Sequence, residues 1–261
     1  MKTPPCVLTI AGSDSGAGAG LQADSRTIHA LGGYALTAVT AVTAQNTRGV
    51  VAWKPVAPAL LAAQIAAVAG DFSIAAAKTG LLPGAAAVKA VAAALPAGIA
   101  LVIDPVIGST SGTRFLTAAG VRALKRHLLP RATLITPNWP EAALLTGLPV
   151  TTFSEAEEAA RALLVTGCAA VLVKGGHAPG KMCKDCLVTA DGRVRWFAHA
   201  RVPTRNTHGT GCVLSAAIAT GLARGRRVEV AVRDAVTFLQ RNLRAGRRRT
   251  WGGGAGPAFA G

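Results

Sequence analysis

The sequence is poor in acidic and in aromatic residues. Its 261 residues include 12 aspartates and glutamates against 28 lysines and arginines, giving a formal net charge of +16, and aromatic residues make up 4%. Such a charge suggests nucleic acid or a membrane surface as partner. The scarcity of aromatic residues, however, leaves no visible platform on which bases could stack. We therefore expect no nucleic-acid partner, although a basic surface would steer an anionic substrate towards the protein.

Many of the arginines lie in one segment near the end of the chain. Residues Val228 to Arg248 predict an amphipathic helix whose inner stripe consists of Val232, Val236, Leu239 and Leu243. The arginines of this segment then form a solvated helix face.

Long apolar runs and a disulfide pattern are also missing. The most apolar run, Gly84 to Ile103, contains Lys89 and Pro96, so a helix followed by a strand explains it better than a membrane span. The N-terminus has only a very short apolar run, which does not resemble a signal peptide. The five cysteines are odd in number and scattered, as expected of reduced thiols. We expect a cytoplasmic protein without a membrane partner.

The chain lacks the common dinucleotide, phosphate-loop and zinc motifs. Gly16, Gly18 and Gly20 form G-x-G-x-G, and no acidic residue ends the second predicted strand, so a Rossmann oxidoreductase is a weak alternative. No Gly-Lys-Ser/Thr follows a glycine at Walker A spacing. "CKDC" is a single C-x-x-C, whereas zinc needs two more ligands. We place Cys186 at the start of a hairpin strand and Cys183 in a mobile loop.

Short apolar runs alternate with helical patterns along the chain. Predicted strands include "CVLTIAG", "YALTAVTAV", "IAAAKTG", "IALVIDP", "ATLITPN" and "AAVLVKGG", with helices between them and a hairpin that turns at Asp191-Gly192. Two long helices end the chain. This order predicts an α/β fold of βαβ units with a mostly parallel sheet, and we treat residues 1–261 as one domain.

Polar or glycine-rich residues follow nearly every predicted strand. In parallel sheets ligands bind at the carboxyl ends of the strands, so these residues predict a site there. They are Gly12-Ser13-Asp14, Gln45-Asn46, Lys78-Thr79-Gly80, Asp104, Asn138 and Lys174-Gly175-Gly176.

The stretch "RNTHGTGCVLSAAIATGLARG" joins a polar segment rich in Gly and Thr directly to a helix. One interpretation is structural, with Thr207 or Thr210 as N-cap and the glycines in a turn. The other is chemical, because a helix start offers free N–H groups and glycine lets an anion approach them.

Six segments together resemble the hydroxymethylpyrimidine and phosphomethylpyrimidine kinases of thiamine biosynthesis, in the ribokinase-like superfamily. They are "TIAGSDSGAGAGLQAD", "AVTAQNT", "KTGLL", "ITPNWPEA", "VLVKGGH" and "NTHGTGC", in this order, and the similarity runs from about Val7 to Ala223. The resemblance implies a three-layer fold, a homodimer and an ATP-dependent kinase. It also implies two successive phosphorylations of one pyrimidine, first on its hydroxymethyl group and then on the resulting monophosphate.

The resemblance also implies roles for individual residues. Gly209, Thr210 and Gly211 would form an anion hole for the transferring phosphoryl group, and Cys212 would act there as a base with a lowered pKa. Asn138 and Glu141 match the superfamily's N-x-x-E motif for Mg²⁺, and Asp104 is a second metal candidate. Lys174, Asn138 and Thr207 would contact ATP. Helix-end charge is the structural alternative for Glu141 and a surface position the alternative for Lys174.

The pyrimidine would need an apolar slot and a polar partner for its edge. Gln45 offers both a carbonyl and an NH₂ group. The other pocket positions matched to the family are Gly12, Ala19, Asp24, Leu81 and Val106, with helix capping as the alternative role of Asp24. Ala17 stands where the family usually has glycine and Leu81 where it often has methionine. A pyridoxal kinase on the same scaffold is the closest rival interpretation.

Overall fold

The computed structural model describes residues 3–108 and 115–259, which contain nine strands. The strands are Cys6–Ser13 (β1), Tyr34–Asn46 (β2), Gly49–Pro55 (β3), Ile74–Thr79 (β4), Ala100–Ile103 (β5), Leu134–Ile135 (β6), Ala170–Val173 (β7), Met182–Thr189 (β8) and Val194–Ala200 (β9).

Eight α-helices connect or follow these strands in the same part of the chain. They are Gly20–Ala30 (α1), Pro58–Asp71 (α2), Gly84–Ala94 (α3), Ala118–His127 (α4), Trp139–Thr146 (α5), Phe153–Leu164 (α6), Thr210–Ala223 (α7) and Val228–Gly246 (α8). None of the helices in the described residues is long and apolar enough to cross a membrane.

All nine strands pair in one sheet, in the order β3-β2-β1-β4-β5-β6-β7-β8-β9. The pairs from β2 through β1, β4, β5 and β6 to β7 are parallel. The pairs of β3 with β2, of β8 with β7 and of β9 with β8 are antiparallel. The predicted mostly parallel α/β sheet is therefore confirmed.

The two faces of the sheet pack on different helices. Leu8 and Ile10 of β1 belong to a cluster with residues of α2 to α6, whereas Val7 packs with residues of α1, α7 and α8. Neighbouring residues of a strand point to opposite faces, so both faces of β1 are buried. This arrangement makes three layers and leaves the strand ends as the open edge of the sheet.

Two local predictions were wrong. The sequence analysis did not find β3, whose side chains are mostly exposed and so lack a clear apolar pattern. Cys183 does not lie in a loop: it is buried within β8, opposite His199 of β9. Within the described residues no cluster of three or more His, Cys, Asp or Glu is suited to hold a metal ion.

Candidate active site

The N-termini of α1 and α7 meet at the open edge of the sheet. The N-caps are Ala19 and Gly209, and no described side chain caps either helix. A Cβ placed on Gly209 would lie 2.0 Å from the carbonyl oxygen of Gly18, so the two loops touch through their backbones. The positive ends of two helix dipoles therefore face the same region, which favours an anion.

The start of α7 contradicts the structural interpretation of its threonines and leaves the chemical interpretation of its glycines a prediction. Gly209 has φ +82°, in the left-handed region that glycine adopts without strain. The alternative of Thr207 or Thr210 as a side-chain N-cap is wrong, because the cap residue is Gly209. A Cβ on Gly211 would lie 3.2 Å from both Asp104 Oδ2 and Lys174 Nζ. The helix start thus faces a carboxylate and an ammonium group.

Asp104 and Lys174 form an ion pair beside this helix start. Lys174 Nζ donates to Asp104 Oδ1 at 2.8 Å, and the Thr136 hydroxyl donates to the same oxygen at 3.1 Å. Burial acts to raise the pKa of Asp104, but Lys174 and Lys78 hold it below its usual value. Asp104 is therefore an anion, and both it and Lys174 lie next to the helix start at Gly211.

Glu141 is the second carboxylate next to Lys174. Its Oε2 lies 4.0 Å from Lys174 Nζ and accepts from the backbone N–H of Asn138, whose side chain in turn accepts from Glu141 N. Both residues therefore form a capping box for α5. Burial raises the pKa of Glu141 to about 7; Lys174 opposes the shift and Asp104 adds to it. A cation between the two carboxylates would relieve their repulsion.

An apolar cluster of side chains adjoins the end of β1. Leu81 packs in one cluster with Ala41 and Phe115, and Val50, Trp53 and Val106 are packed against it. A Cβ on Gly12 would lie 3.6 Å from Leu81 Cδ2. The structure therefore brings three predicted pocket residues, Gly12, Leu81 and Val106, together. Trp53 and Phe115, whose rings meet edge to face at 5.4 Å, were missed because β3 was missed and Phe115 follows no strand.

A polar group of side chains lies at the ends of β1 and β2. His208 Nε2 is 2.9 Å from Asp14 Oδ2 and 3.1 Å from the side-chain amide of Gln45. Burial acts to raise the pKa of Asp14, but hydrogen bonds from His208 and from backbone N–H groups hold it below its usual value. Asp14 was predicted only as one of the strand-end residues, without a role of its own, and His208 was not predicted, although both lie inside the segments that carry the family resemblance.

Asp24 lies beneath the site rather than on its surface. It is completely buried, and Lys78 Nζ donates to its two oxygens at 2.9 and 2.8 Å while the Thr9 hydroxyl donates at 2.6 Å. Burial raises the pKa of Asp24 although Lys78 opposes the shift, whereas Asp24 raises the pKa of Lys78 against the effect of burial. The two short contacts from Nζ are those of an ion pair, and on this geometry we treat the pair as charged. The capping role considered for Asp24 is wrong, because α1 begins at Gly20 behind the N-cap Ala19.

Cys212 lies in the first turn of α7 and is 9% exposed. The expectation of a lowered pKa is wrong: burial raises the pKa of the thiol to about 11, although Lys78 and a hydrogen bond from Gly20 act in the opposite direction. A helix N-terminus or a nearby cation lowers the pKa of a thiol, whereas burial raises it, and at Cys212 burial is the larger effect. The free protein therefore carries Cys212 as a thiol.

Two further predicted residues lie at the rim. Thr207 is exposed on the loop before α7, and Ala19 is partly exposed as the N-cap of α1. The loop itself is anchored by Asn206, whose side-chain amide donates to the carbonyls of Gly246 and Arg249. Asn206 is thus a further residue that the sequence analysis missed.

Ala17 adopts a backbone conformation that suits glycine. Its φ is +57°, and it is the only non-glycine residue with positive φ in the described residues. Because glycine adopts this conformation without steric cost, we expect Ala17→Gly to raise the free energy of unfolding by about 0.5–1 kcal/mol. Urea denaturation measures this. The control is Ala66→Gly in the exposed part of α2, which should lower the free energy of unfolding by about 1 kcal/mol. If Ala17→Gly also lowered the free energy of unfolding, Ala17 would not be strained.

Comparison with known proteins decides the family. A sequence profile described as phosphomethylpyrimidine kinase matches residues 14–258. A Rhizobium meliloti protein named hydroxymethylpyrimidine/phosphomethylpyrimidine kinase is 47% identical over 253 residues, covering 96% of this chain and 94% of the relative. The chain belongs to the phosphomethylpyrimidine kinase family. This family membership confirms the resemblance found in the sequence and sets aside the Rossmann oxidoreductase.

Solved structures agree with this family. A phosphomethylpyrimidine kinase from Clostridium difficile 630 is 34% identical, with a TM-score of 0.80 over 92% of this chain and 99% of that one. A Bacillus subtilis pyridoxal kinase, solved as an ADP complex, is 31% identical, with a TM-score of 0.85 over 93% of each chain. The fold of this chain is therefore shared with a pyridoxal kinase as well as with a phosphomethylpyrimidine kinase.

Proposed function

We propose that this phosphomethylpyrimidine kinase family member phosphorylates 4-amino-5-hydroxymethyl-2-methylpyrimidine, and then its monophosphate, in thiamine biosynthesis. The observation that carries the proposal is that one edge of the sheet bears both an apolar cluster around Leu81, next to Gly12, and the uncapped start of α7 beside the Asp104–Lys174 pair. A flat ring needs an apolar surface to lie against, and a transferring phosphoryl group needs positioned N–H donors and a cation. Both lie at the carboxyl ends of the parallel strands.

In the proposed complex the ring lies against Leu81 and Val106, with Gly12 leaving room for it and Gln45 holding its edge. The phosphoryl group accepts hydrogen bonds from backbone N–H groups of Gly209, Thr210 and Gly211. Donors already aimed at the developing charge stabilise the transition state without rearrangement. Asp24 lies buried beneath the proposed pocket and Ala19 lies at its rim, so neither side chain contacts the ring.

ATP is the phosphoryl donor in this proposal. The Bacillus subtilis relative was solved with ADP, and Lys174, 2.8 Å from Asp104, is placed to neutralise a nucleotide phosphate. Asn138, which forms an isolated parallel bridge with Lys174, and the exposed Thr207 complete the proposed nucleotide contacts.

Mg²⁺ is the proposed metal, with Glu141 and Asp104 as its candidate ligands. Two carboxylates fit this ion, because protein Mg²⁺ sites use one or two of them and fill the other positions with water and phosphate. The pKa of about 7 for Glu141 shows that its charge lacks compensation in the free protein. The ion would neutralise charge on the phosphate oxygens, while Lys174 and the helix start hold the group in place.

We expect Glu141→Gln to raise the Mg²⁺ concentration for half-maximal rate by about 10-fold, because glutamine loses the charge. Glutamine at this position preserves the capping box, so the fold should persist. A Mg²⁺ titration of ADP release measures the effect. The matched control is Glu155→Gln, the same change in the capping box of α6, away from the site. Equal Mg²⁺ dependence in both variants would leave Glu141 with a capping role only.

Cys212 is the proposed base for the first phosphorylation, in which the substrate hydroxyl loses its proton. In the ionised fraction of Cys212, the proton would pass from the hydroxyl to the thiolate sulfur as the hydroxyl oxygen bonds to the γ-phosphorus of ATP. The bond from this phosphorus to the bridging oxygen would break at the same time, and ADP would leave. The phosphate monoester in the second step is already ionised at neutral pH and needs no base.

Pyridoxal kinase activity is the second candidate. It is favoured by the similarity to the Bacillus subtilis pyridoxal kinase along 93% of the chain. The two candidates are separated by ADP release with Mg²⁺ and ATP on a panel of hydroxymethylpyrimidine, its phosphate, pyridoxal and ribose. The proposal requires the highest catalytic efficiency on the two pyrimidines; preference for pyridoxal would overturn it. The homodimer and the cytoplasmic location remain predictions.

A further inference from the structure

His208 contacts two polar groups with a single ring nitrogen. Its Nε2 lies 2.9 Å from Asp14 Oδ2 and 3.1 Å from Gln45 Nε2. A ring nitrogen either carries a proton and donates, or lacks it and accepts. The partners of this nitrogen therefore determine which of the two states it adopts.

Asp14 determines the state of Nε2. The carboxylate accepts hydrogen bonds from the N–H groups of Gly16, Gly18 and Ala19 at 2.8, 3.0 and 2.9 Å. These donors and His208 hold the pKa of Asp14 below its usual value against the effect of burial. An ionised carboxylate only accepts. Nε2 of His208 must therefore carry a proton and donate it to Asp14.

This proton fixes the orientation of the Gln45 amide. In the structure, the NH₂ nitrogen of Gln45 faces Nε2, which sets donor against donor once Nε2 carries a proton. The two ends of an amide are distinguished by their hydrogen-bond partners. Turning the amide over lets its carbonyl oxygen share the single Nε2 proton with Asp14 and leaves the NH₂ group for a ligand.

The position of His208 is determined by several elements. Its backbone N–H donates to Gly256 O at 3.0 Å, and its carbonyl accepts from Ala258 N at 2.8 Å, so the C-terminal segment holds it on both sides. A Cβ on Gly18 would lie 2.3 Å from His208 Cδ2, so glycine there makes room for the ring. The backbone of Gln45 is held by Ser15, whose hydroxyl lies 2.8 Å from both its nitrogen and its oxygen. The ring of His208 and the backbone of Gln45 are therefore both fixed, and only the side-chain amide of Gln45 can rotate.

We propose that His208 is a positioning residue for substrate specificity, which orients the Gln45 amide so that its NH₂ group donates to the ligand. The site then selects a ring edge with a bare nitrogen as acceptor over one with C–H at that position. The inference rests on the proposed function, because it takes Gln45 to contact the ring. It differs from the initial interpretation, in which Gln45 used both its carbonyl and its NH₂ group on the substrate.

The test compares three ligands by calorimetry: the hydroxymethylpyrimidine and two aminopyridine analogues, each with C–H in place of one ring nitrogen. Wild-type protein should bind one analogue roughly 10-fold more weakly, because the NH₂ group of Gln45 then lacks its acceptor. In Gln45→Leu the three ligands should bind alike. In His208→Ala the penalty should fall below about 3-fold, since the amide is free to rotate.

The conservative variant His208→Gln distinguishes a loss of amide orientation from a general disturbance of the site. In His208→Gln the new amide NH₂ group can donate to both Asp14 and the Gln45 carbonyl, so the 10-fold penalty should return. Equal binding of all three ligands by the wild type, or an unchanged penalty in His208→Ala, would overturn the proposal.

A second measurement does not depend on the substrate. Proton–nitrogen correlation spectra of the free protein report which ring nitrogen of His208 carries hydrogen, and the proposal requires it on Nε2. An unprotonated Nε2 would overturn the proposal even if the kinase activity were established. Conversely, no phosphorylation of the pyrimidine together with a protonated Nε2 would count against the proposed function and leave the orientation of Gln45 intact.

Discussion

Cys212→Ala should slow the phosphorylation of the alcohol by about 10²-fold at neutral pH, the lower end of the range for loss of a general base. The second phosphorylation should change much less, because its substrate is already ionised and the backbone N–H groups of α7 remain. The lower end applies because a thiol whose pKa is raised to about 11 is almost entirely protonated at pH 7. Rapid-quench measurement of each step separately gives both rates.

The same pKa predicts a pH dependence. The thiolate fraction of Cys212 increases with pH until the pH passes about 11. The first-step rate of the wild type should therefore rise through pH 7 to 9, and that of Cys212→Ala should not follow it.

The control is Cys168→Ala, which removes another buried thiol, one that packs in the opposite core. Its rates should stay at the wild-type level once the protein is shown to be folded. Equal losses in both steps of Cys212→Ala would mean that this side chain shapes the anion hole instead. No loss in either step would leave Cys212 a structural residue of the helix start.

Lys78→Met should lower the free energy of unfolding by about 3–5 kcal/mol, the usual cost of breaking a buried ion pair. Lys78 and Asp24 are both 0% exposed, so the substitution leaves a carboxylate in the core without its counter-ion. Urea denaturation measures the loss.

The double variant Lys78→Met/Asp24→Leu tests the cause. Replacing both charges by apolar groups avoids the unpaired carboxylate, so most of the stability should return. A deficit of about 1–2 kcal/mol should remain, because the Thr9 hydroxyl loses its acceptor. Lys89→Met, on the exposed surface of α3, is the control and should stay within about 0.5 kcal/mol of the wild type. If the double variant were as unstable as Lys78→Met, the loss of stability would come from altered packing and not from the unpaired charge.

The order of strands and helices could be read from the sequence because it depends on local patterns. The period of apolar residues separates strands from helices within a few residues. The sequence analysis missed β3 because this strand is stabilised by pairing with β2 at the sheet edge and has no buried face of its own. The strand-end residues Gln45, Asp104 and Lys174 were found for the same local reason, since parallel strands place their ends at one edge.

The sequence by itself determined the family, the α/β layering and the set of residues at the open edge of the sheet. Only the tertiary structure decided which of these residues are charged and which are neutral. Lys78 meets Asp24 across 54 residues of chain, and His208 meets Asp14 across 194. Burial at the same place keeps Cys212 protonated although its helix start favours the thiolate. Ionisation depends on the charges and solvent around a group in three dimensions, and these neighbours come from distant parts of the chain.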